Sequence, residues 1–125
     1  MNMLNLSKLP KTWVIDLDGT IFPHNAYLEG EVETPLEGVK NFFNKISKKD
    51  FVIILTSRKS NYRVQTVKNL QLAGIRYDLL IMGAPTGERI LINDFKPSGL
   101  MTAYSVCVKR DEGLGKLFFT ESEKI

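Results

Sequence analysis

Short, near-continuous apolar runs alternate along the chain with segments in which apolar residues recur at helical spacing. The apolar runs, which predict buried strands, are residues 12–17, 51–55, 78–82, 89–92 and 103–108. Strands that are apolar throughout are buried on both faces, which is typical of a parallel sheet between layers of helices. The pattern therefore predicts an α/β fold of three layers, a Rossmann-like parallel sheet with helices on both faces.

Two helices are predicted between these strands. The first follows Thr34-Pro35-Leu36-Glu37, a typical helix start, and is expected to run to about Lys48. The second is expected to open at Ser60 or Asn61 and to end at Gly74. The residues expected on or near its inner face are Val64, Val67, Leu70 and Leu72.

The length and composition predict a single domain over residues 1–125. Of the 125 residues, 43% are hydrophobic and 25% charged, which is ordinary for a globular protein with one core. No apolar run reaches the length of a membrane span, about 18 residues, and the N-terminus lacks the pattern of a secretion signal. We therefore expect a cytoplasmic protein with no membrane partner. The single cysteine, Cys107, falls in the fifth predicted strand and is expected to be a small buried core residue.

Charge changes this picture only slightly. The formal net charge of +3 favours anionic partners. The basic residues are scattered rather than clustered, and Arg58, Lys59 and Arg63 come nearest to a group. This distribution does not favour a nucleic-acid partner.

The strongest chemical signal is Asp16-Leu17-Asp18-Gly19-Thr20, which follows the first predicted strand. In an extended backbone, aspartates at this spacing point the same way. Two carboxylates about 4 Å apart repel by roughly 4 kcal/mol at an effective dielectric constant near 20. A divalent cation offsets this repulsion, and all-oxygen ligands favour Mg²⁺. Gly19 permits a sharp turn, and Thr20 offers a hydroxyl.

Two other predicted strands also end in polar residues. Thr56-Ser57-Arg58 follows the second strand and either holds a phosphate oxygen or forms an ordinary strand-to-helix turn with a capping hydroxyl. Asn93-Asp94 follows the fourth strand and either supplies a metal carboxylate or forms a turn before Pro97. Because sites in parallel α/β folds collect at the C-terminal ends of strands, these groups are expected to converge.

With these residues the chain resembles the haloacid-dehalogenase superfamily of phosphatases and phosphotransferases. The segment Asp16–Thr20 matches the first motif of the family, and Thr56 and Asp94 stand where its second and fourth motifs stand. The resemblance implies that Asp16 attacks phosphorus and binds Mg²⁺, and that Asp18 acts as general acid and then base while its carbonyl binds the metal. It also implies that Asp94 holds the metal and that Thr56 binds the phosphoryl group. The further phosphate contacts that we predict are Gly19, Thr20, Ser57 and Arg58.

The third motif of the family is a lysine or arginine shortly before the fourth-motif strand. Arg89 has that place and is predicted to bind phosphate, with Lys68 and Lys96 as alternatives. Many members have an aspartate where Asn93 stands. The chain between the motifs is too short for a cap domain, so the resemblance implies a small, capless, Mg²⁺-dependent phosphatase that forms an aspartyl-phosphate.

The resemblance leaves the substrate open. A small phosphorylated metabolite such as a sugar phosphate is the leading expectation, and a nucleotide or a nucleic-acid end is the alternative within catalysis. Because the fourth motif has one aspartate, a catalytically weak, metal-binding interaction module is a third possibility. The tail, residues 111–125, has no pattern that predicts an element. A capless site and this partly apolar tail are also compatible with a homo-oligomer.

Overall fold

The computed structural model describes residues 2–30 and 32–123, an α/β arrangement with parallel strands in two sheets. In chain order its elements are β1 (Asn2–Ser7), β2 (Thr12–Asp16), α1 (Val39–Lys45), β3 (Phe51–Leu55), α2 (Arg63–Leu72), β4 (Leu79–Ile81) and β5 (Leu117–Ser122). Single 3₁₀ turns lie at Ala26–Glu29 and Ser60–Tyr62. The predicted α/β class with parallel strands is confirmed. In the part of the chain that the structure describes, no helix has the length and apolar character needed to cross a membrane.

The strands β2, β3 and β4 form a parallel sheet with β3 in the middle. Asp16 at the end of β2 lies opposite Leu55 of β3, and Leu55 lies opposite Ile81 of β4. The C-terminal ends of the three strands are therefore side by side. These are the first three predicted strands, and each is found within two residues of its predicted bounds. The prediction that they are buried on both faces is wrong, since Val14, Phe51 and Leu79 are exposed.

The second sheet pairs the two ends of the described chain. β1 and β5 run parallel, with Asn2 opposite Leu117 and Ser7 opposite Ser122. The ring of Trp13 in β2 lies 5.1 Å from that of Phe119 in β5, centroid to centroid, so this small sheet packs on the core. The buried apolar residues are Ile15, Leu17, Ile21, Phe22, Val39, Phe42, Phe43, Ile46, Val52, Ile54, Leu70, Ala73, Ile75, Leu80 and Leu114.

Helix α1 begins later than predicted, at Val39 rather than after Thr34. The preceding residue, Gly38, has a left-handed backbone with φ of +76°, and a Cβ there would lie 2.4 Å from the backbone nitrogen of Gly115. The Glu37 carbonyl accepts a hydrogen bond from the Leu114 N–H at 2.8 Å. Contacts with the tail therefore replace the predicted capping box, because they hold the backbone out of helical geometry.

Helix α2 ends at Leu72, two residues before the predicted Gly74, and it turns a different face to the core than predicted. Thr66, Asn69 and Leu70 are buried, whereas Val64 and Leu72 are exposed. The prediction for Val64 and Leu72 is therefore wrong. The reason is chemical: the helix packs against a buried arginine and a buried glutamate, and its polar side chains supply their hydrogen bonds.

The fourth and fifth predicted strands, residues 89–92 and 103–108, are wrong, since neither range forms a strand. Ile90 and Ile92 are 82% and 89% exposed. Cys107, expected to be buried, is also exposed.

Local hydrogen bonds form instead within the segment that separates these two ranges. The Lys96 N–H donates to the Leu100 carbonyl at 3.1 Å, and the Asn93 side-chain amide donates to the Thr102 hydroxyl at 2.8 Å. The chain therefore folds back on itself. An apolar run predicts a strand only through its side chains, and it does not specify the backbone partner that a strand requires.

Candidate active site

A tight turn after β2 places Asp16 and Asp18 at the C-terminal edge of the three-stranded sheet. The Phe22 N–H donates to the Leu17 carbonyl at 3.1 Å, and the Gly19 N–H donates to the Phe22 carbonyl at 2.7 Å. Gly19 has φ of +86°, which other residues adopt only with strain. The glycine is therefore what allows the chain to reverse directly after the two aspartates.

Asp111 holds this turn from the tail of the chain. Its N–H donates to the Gly19 carbonyl at 2.9 Å, and its carboxylate accepts a hydrogen bond from the His24 N–H at 2.8 Å. The loop after the first motif is thus tied to a segment for which the sequence pattern predicted no structure.

The carboxylate of Asp16 lies on the exposed side of the site. The Thr20 hydroxyl donates to Oδ2 at 2.9 Å, and Arg89 Nη1 donates to Oδ1 at 2.9 Å. The side chains of Asp16 and Arg89 are 36% and 37% exposed, so solvent or a ligand can reach both. Of the three basic candidates for the third motif, Arg89 is the one that contacts Asp16, whereas Lys68 and Lys96 are exposed side chains elsewhere.

The carboxylate of Asp18 is held by residues that follow β3. Arg58 Nη2 donates to Oδ1 at 2.9 Å, and Arg58 Nε lies 3.1 Å from Oδ2. The Thr56 hydroxyl donates to Oδ2 at 3.2 Å. The structure therefore brings Asp16, Asp18, Thr56 and Arg58 together at the ends of two neighbouring strands.

Arg58 is 1% exposed and has an acceptor for each of its five N–H groups. Besides Asp18, it donates from Nη1 to Glu33 Oε2 and to the Thr66 hydroxyl, both at 3.0 Å, and from Nη2 to Glu33 Oε1 at 2.5 Å. The Tyr27 ring covers the guanidinium, with Cζ 4.3 Å from the ring centroid. Arg58 was predicted to contact phosphate, but in this structure its donors are all used inside the protein.

The charges in this cluster shift two pKa values. Burial by itself lowers the pKa of Arg58, but its hydrogen bonds with Asp18 and Glu33 and their charges outweigh burial, so the pKa is raised. Burial raises the pKa of Tyr27, and the nearby charge of Asp18 raises it further. Arg58 is therefore charged and Tyr27 neutral at physiological pH.

The loop after β3 has the geometry of a strand-to-helix turn closed by a hydroxyl. The Arg58 N–H donates to Thr56 Oγ1 at 3.0 Å, and the Thr56 N–H donates to the Ile81 carbonyl at 2.9 Å. The Ser57 hydroxyl donates to the Pro85 carbonyl at 3.3 Å. Neither hydroxyl caps a helix, since Lys59 precedes the 3₁₀ turn and Tyr62 precedes α2, both without a side-chain cap hydrogen bond.

Asp94 is not brought to Asp16 and Asp18. It is an exposed residue whose carbonyl accepts a hydrogen bond from the Thr102 hydroxyl. Within residues 2–30 and 32–123, no three histidine, cysteine, aspartate or glutamate side chains are grouped so as to hold a metal ion. The atoms there that can ligate a metal are nevertheless oxygens, those of the reachable Asp16 carboxylate and of the Thr20 hydroxyl. Oxygen ligands fit a hard cation such as Mg²⁺ that keeps several waters.

Glu33, Thr66 and Asn69 belong to the cluster but were not predicted from the sequence. Glu33 lies in a polar loop and has no pattern that distinguishes it from neighbouring glutamates. Thr66 and Asn69 did leave a signal, because they stand three residues apart on α2 and so share one face of the helix. Two hydrogen-bonding residues next to the apolar Leu70 on one helix face are typical of a helix that packs against a buried charged side chain.

No protein-family model matches the chain, and no curated protein or solved structure is similar enough to be matched to it.

Proposed function

We propose that this chain is a Mg²⁺-dependent phosphatase of haloacid-dehalogenase type that hydrolyses a phosphate monoester through Asp16. One observation carries the proposal: the two aspartates at the C-terminal end of β2 are held differently. Asp16 is reachable from solvent, as a nucleophile must be, and Thr56 and Arg58 fix the position of the Asp18 carboxyl group beside it.

The reaction follows from these two roles. A carboxylate oxygen of Asp16 attacks phosphorus, the bond to the leaving oxygen breaks, and the electron pair goes to that oxygen, which takes the proton of the Asp18 carboxyl group. Water then attacks phosphorus and gives a proton to Asp18. The bond between phosphorus and Asp16 breaks, which releases inorganic phosphate and restores both aspartates.

Cationic groups would offset the charge of the incoming phosphate. Arg89 contacts Asp16 and is exposed, so its guanidinium can also bind phosphate oxygens. Bound Mg²⁺ would supply further charge neutralisation. The Asp16 carboxylate and the Asp18 carbonyl would hold it. The family resemblance implies Asp94 as a third ligand, although Asp94 is not grouped with the two aspartates in this structure. The remaining proposed phosphate contacts are Gly19, Thr20, Thr56 and Ser57.

The proposal extends to architecture and substrate. We propose a three-layer Rossmann-like arrangement without a cap domain, and hence an open site. The substrate class is a small phosphorylated metabolite such as a sugar phosphate, and a nucleotide is the alternative. A homo-oligomer in which a neighbouring copy borders the open site belongs to the same proposal.

The test is phosphate release from sugar phosphates, nucleotides and an aryl phosphate, each with Mg²⁺ and with EDTA. We expect release that requires Mg²⁺ and is concentrated on one substrate class. Release that is equal in Mg²⁺ and EDTA would overturn the metal dependence. Absence of release from every substrate would overturn the phosphatase.

A substitution separates the proposed metal ligands. If Asp94 is a ligand, Asp94→Ala should raise the Mg²⁺ concentration needed for half-maximal activity by about tenfold or more, because ligand loss weakens a site that has few protein donors. An unchanged Mg²⁺ requirement would mean that Asp94 is not a ligand and that Asp16 and Asp18 bind the ion without it. Asn93→Ala is the matched control, since it changes the neighbouring residue without removing a carboxylate.

One observation favours a second function, a metal-binding interaction module with weak catalysis. The segment that carries Asp94 exposes the apolar side chains of Ile90, Ile92 and Phe95, which are typical of a contact surface. Mg²⁺ binding by calorimetry, together with no phosphate release, would support the module. Turnover that Asp16→Asn abolishes would contradict it.

A further inference from the structure

We propose that Glu33 is a positioning residue that fixes Asp18 through Arg58, an inference that rests on the phosphatase proposed above. Glu33 and Asp18 have no hydrogen bond to each other. They are joined by one guanidinium, and Glu33 acts on the reaction only through it.

The carboxylate of Glu33 is more deeply buried than that of Asp18. The two side chains are 1% and 16% exposed. Glu33 Oε1 accepts a hydrogen bond from Arg58 Nη2, and Oε2 accepts from Arg58 Nη1 at 3.0 Å and from the Asn69 amide at 2.9 Å. Glu33 is thus held by α2 on one side and holds Arg58 on the other. An inward-facing carboxylate with this many partners is not a solvated loop residue.

A guanidinium is planar and rigid, so the placement of one edge determines the placement of the other. In Arg58 the edge formed by Nη1 and Nη2 faces Glu33, and the edge formed by Nε and Nη2 faces Asp18. Glu33 and Thr66 therefore set the plane of the group, and that plane sets the direction of the Asp18 carboxylate. Without Glu33 the arginine side chain can rotate, and Asp18 rotates with it.

The choice of leaving group distinguishes this role from simple stabilisation of the fold. An alkyl leaving oxygen needs the proton of Asp18 as its bond to phosphorus breaks, whereas a nitrophenolate leaves readily without one. A variant that misplaces Asp18 should lose turnover on alkyl phosphates and keep it on aryl phosphates. A variant that only destabilises the fold should lose both equally.

The experiment compares Glu33→Gln with wild type on glycerol phosphate and on nitrophenyl phosphate. We expect kcat on glycerol phosphate to fall by about tenfold to a hundredfold, part of what a general acid contributes, with KM nearly unchanged. On nitrophenyl phosphate we expect a fall of less than about threefold. Glu33→Asp keeps the charge and should recover part of the loss. Equal losses on the two substrates would overturn the inference.

Asp50→Asn is the matched control. Asp50 is also a buried carboxylate and accepts hydrogen bonds from the Trp13 indole at 2.9 Å and from the Lys11 N–H at 3.0 Å. It precedes β3, whereas Thr56 follows it, so the two lie about 20 Å apart at 3.3 Å per residue. This substitution should lower stability without changing the ratio of the two substrates.

A second variant and a spectroscopic measurement keep the inference testable if Glu33→Gln does not fold or if no phosphate is released. Asn69→Ala removes one hydrogen bond to Glu33 and should reproduce the same substrate dependence in weaker form. By NMR, the Arg58 Nε–H should exchange slowly with solvent in wild type and at least tenfold faster in Glu33→Asp or Asn69→Ala. Unchanged exchange would overturn the positioning role. Faster exchange in a protein that releases no phosphate would retain that role and overturn the proposed phosphatase.

Discussion

Two arginines pair with the two aspartates of the site, and they do so in opposite environments. Arg58 is 1% exposed and shared between Asp18 and Glu33, whereas the side chain of Arg89 is 37% exposed and pairs with Asp16. In the buried cluster every N–H group of Arg58 has an acceptor inside the protein, and loss of one partner would leave a buried charge unpaired. The exposed pair is separated at little cost, because water and salt replace its interaction. One half of the site is therefore a fixed frame, and the other half is free to bind a ligand.

The largest effect that this comparison predicts is on turnover. Asp16→Asn removes the nucleophile and should lower kcat by more than about a thousandfold. Because Asp16 is partly exposed, the melting temperature should stay close to that of wild type. The measurements are phosphate release and thermal unfolding. Near-normal turnover would contradict the covalent mechanism. A large loss of stability would contradict the assignment of Asp16 to the exposed half of the site, which is free to bind a ligand.

The next largest effect is on stability, in the buried half. Arg58→Met leaves the Asp18 and Glu33 carboxylates without their shared cation, and loss of one partner of a buried ion pair costs about 3–5 kcal/mol of the free energy of unfolding. Urea denaturation monitored by the fluorescence of Trp13 measures it. A loss below about 1 kcal/mol would mean that Arg58 behaves as a surface residue.

The matched substitution in the exposed half, Arg89→Met, should cost only about 0–1 kcal/mol of the same free energy. Its effect should fall instead on substrate binding, with KM raised by about tenfold, the change expected when one charge-assisted contact to phosphate is lost. A stability loss as large as that of Arg58→Met would erase the distinction between the halves.

The smallest predicted effect is on the pH dependence of stability. It concerns Asp78, an exposed carboxylate outside the site, and extends the comparison of buried and exposed charges. The Val52 N–H donates to Asp78 at 2.8 Å, and this bond, helped by nearby Arg76, lowers the pKa of Asp78. A lowered folded-state pKa stabilises the protein above the unfolded-state value of about 4, and the stabilisation is lost as the pH falls below it. Wild type should thus exceed Asp78→Asn in stability at pH 6, and the difference should shrink towards pH 3. A constant difference would exclude a role for the charge.

The sequence predicted the first three strands and the aspartate turn because local patterns determine them. Apolar side chains such as Ile15 and Ile54 are buried in these strands, although Val14 and Phe51 are exposed. Gly19 permits the reversal after Asp18. The grouping of Thr56 with Asp18 then follows from parallel pairing of β2 with β3.

The remaining features depend on partners that are distant in sequence. Glu33 became part of the site only because Arg58 lies buried beside it, and the start of α1 was fixed by contacts of Glu37 and Gly38 with the tail. Residues 89–92 have a strand-like composition but no strand partner in the structure. The periodicity of apolar residues indicates which side chains favour burial, but it does not identify the residues or strands that they contact.

The pairing of β1 with β5 has a consequence for synthesis on the ribosome. Asn2 pairs with Leu117, so β1 is synthesised long before β5, the strand that it pairs with. At about 5–20 residues per second, translation leaves β1 without its partner for roughly 6 to 23 s. During that time it presents an open strand edge with apolar side chains, the kind of surface that chaperones bind and that drives aggregation. Synthesis, rather than the folded state, is then the stage at which this protein is exposed to aggregation through β1.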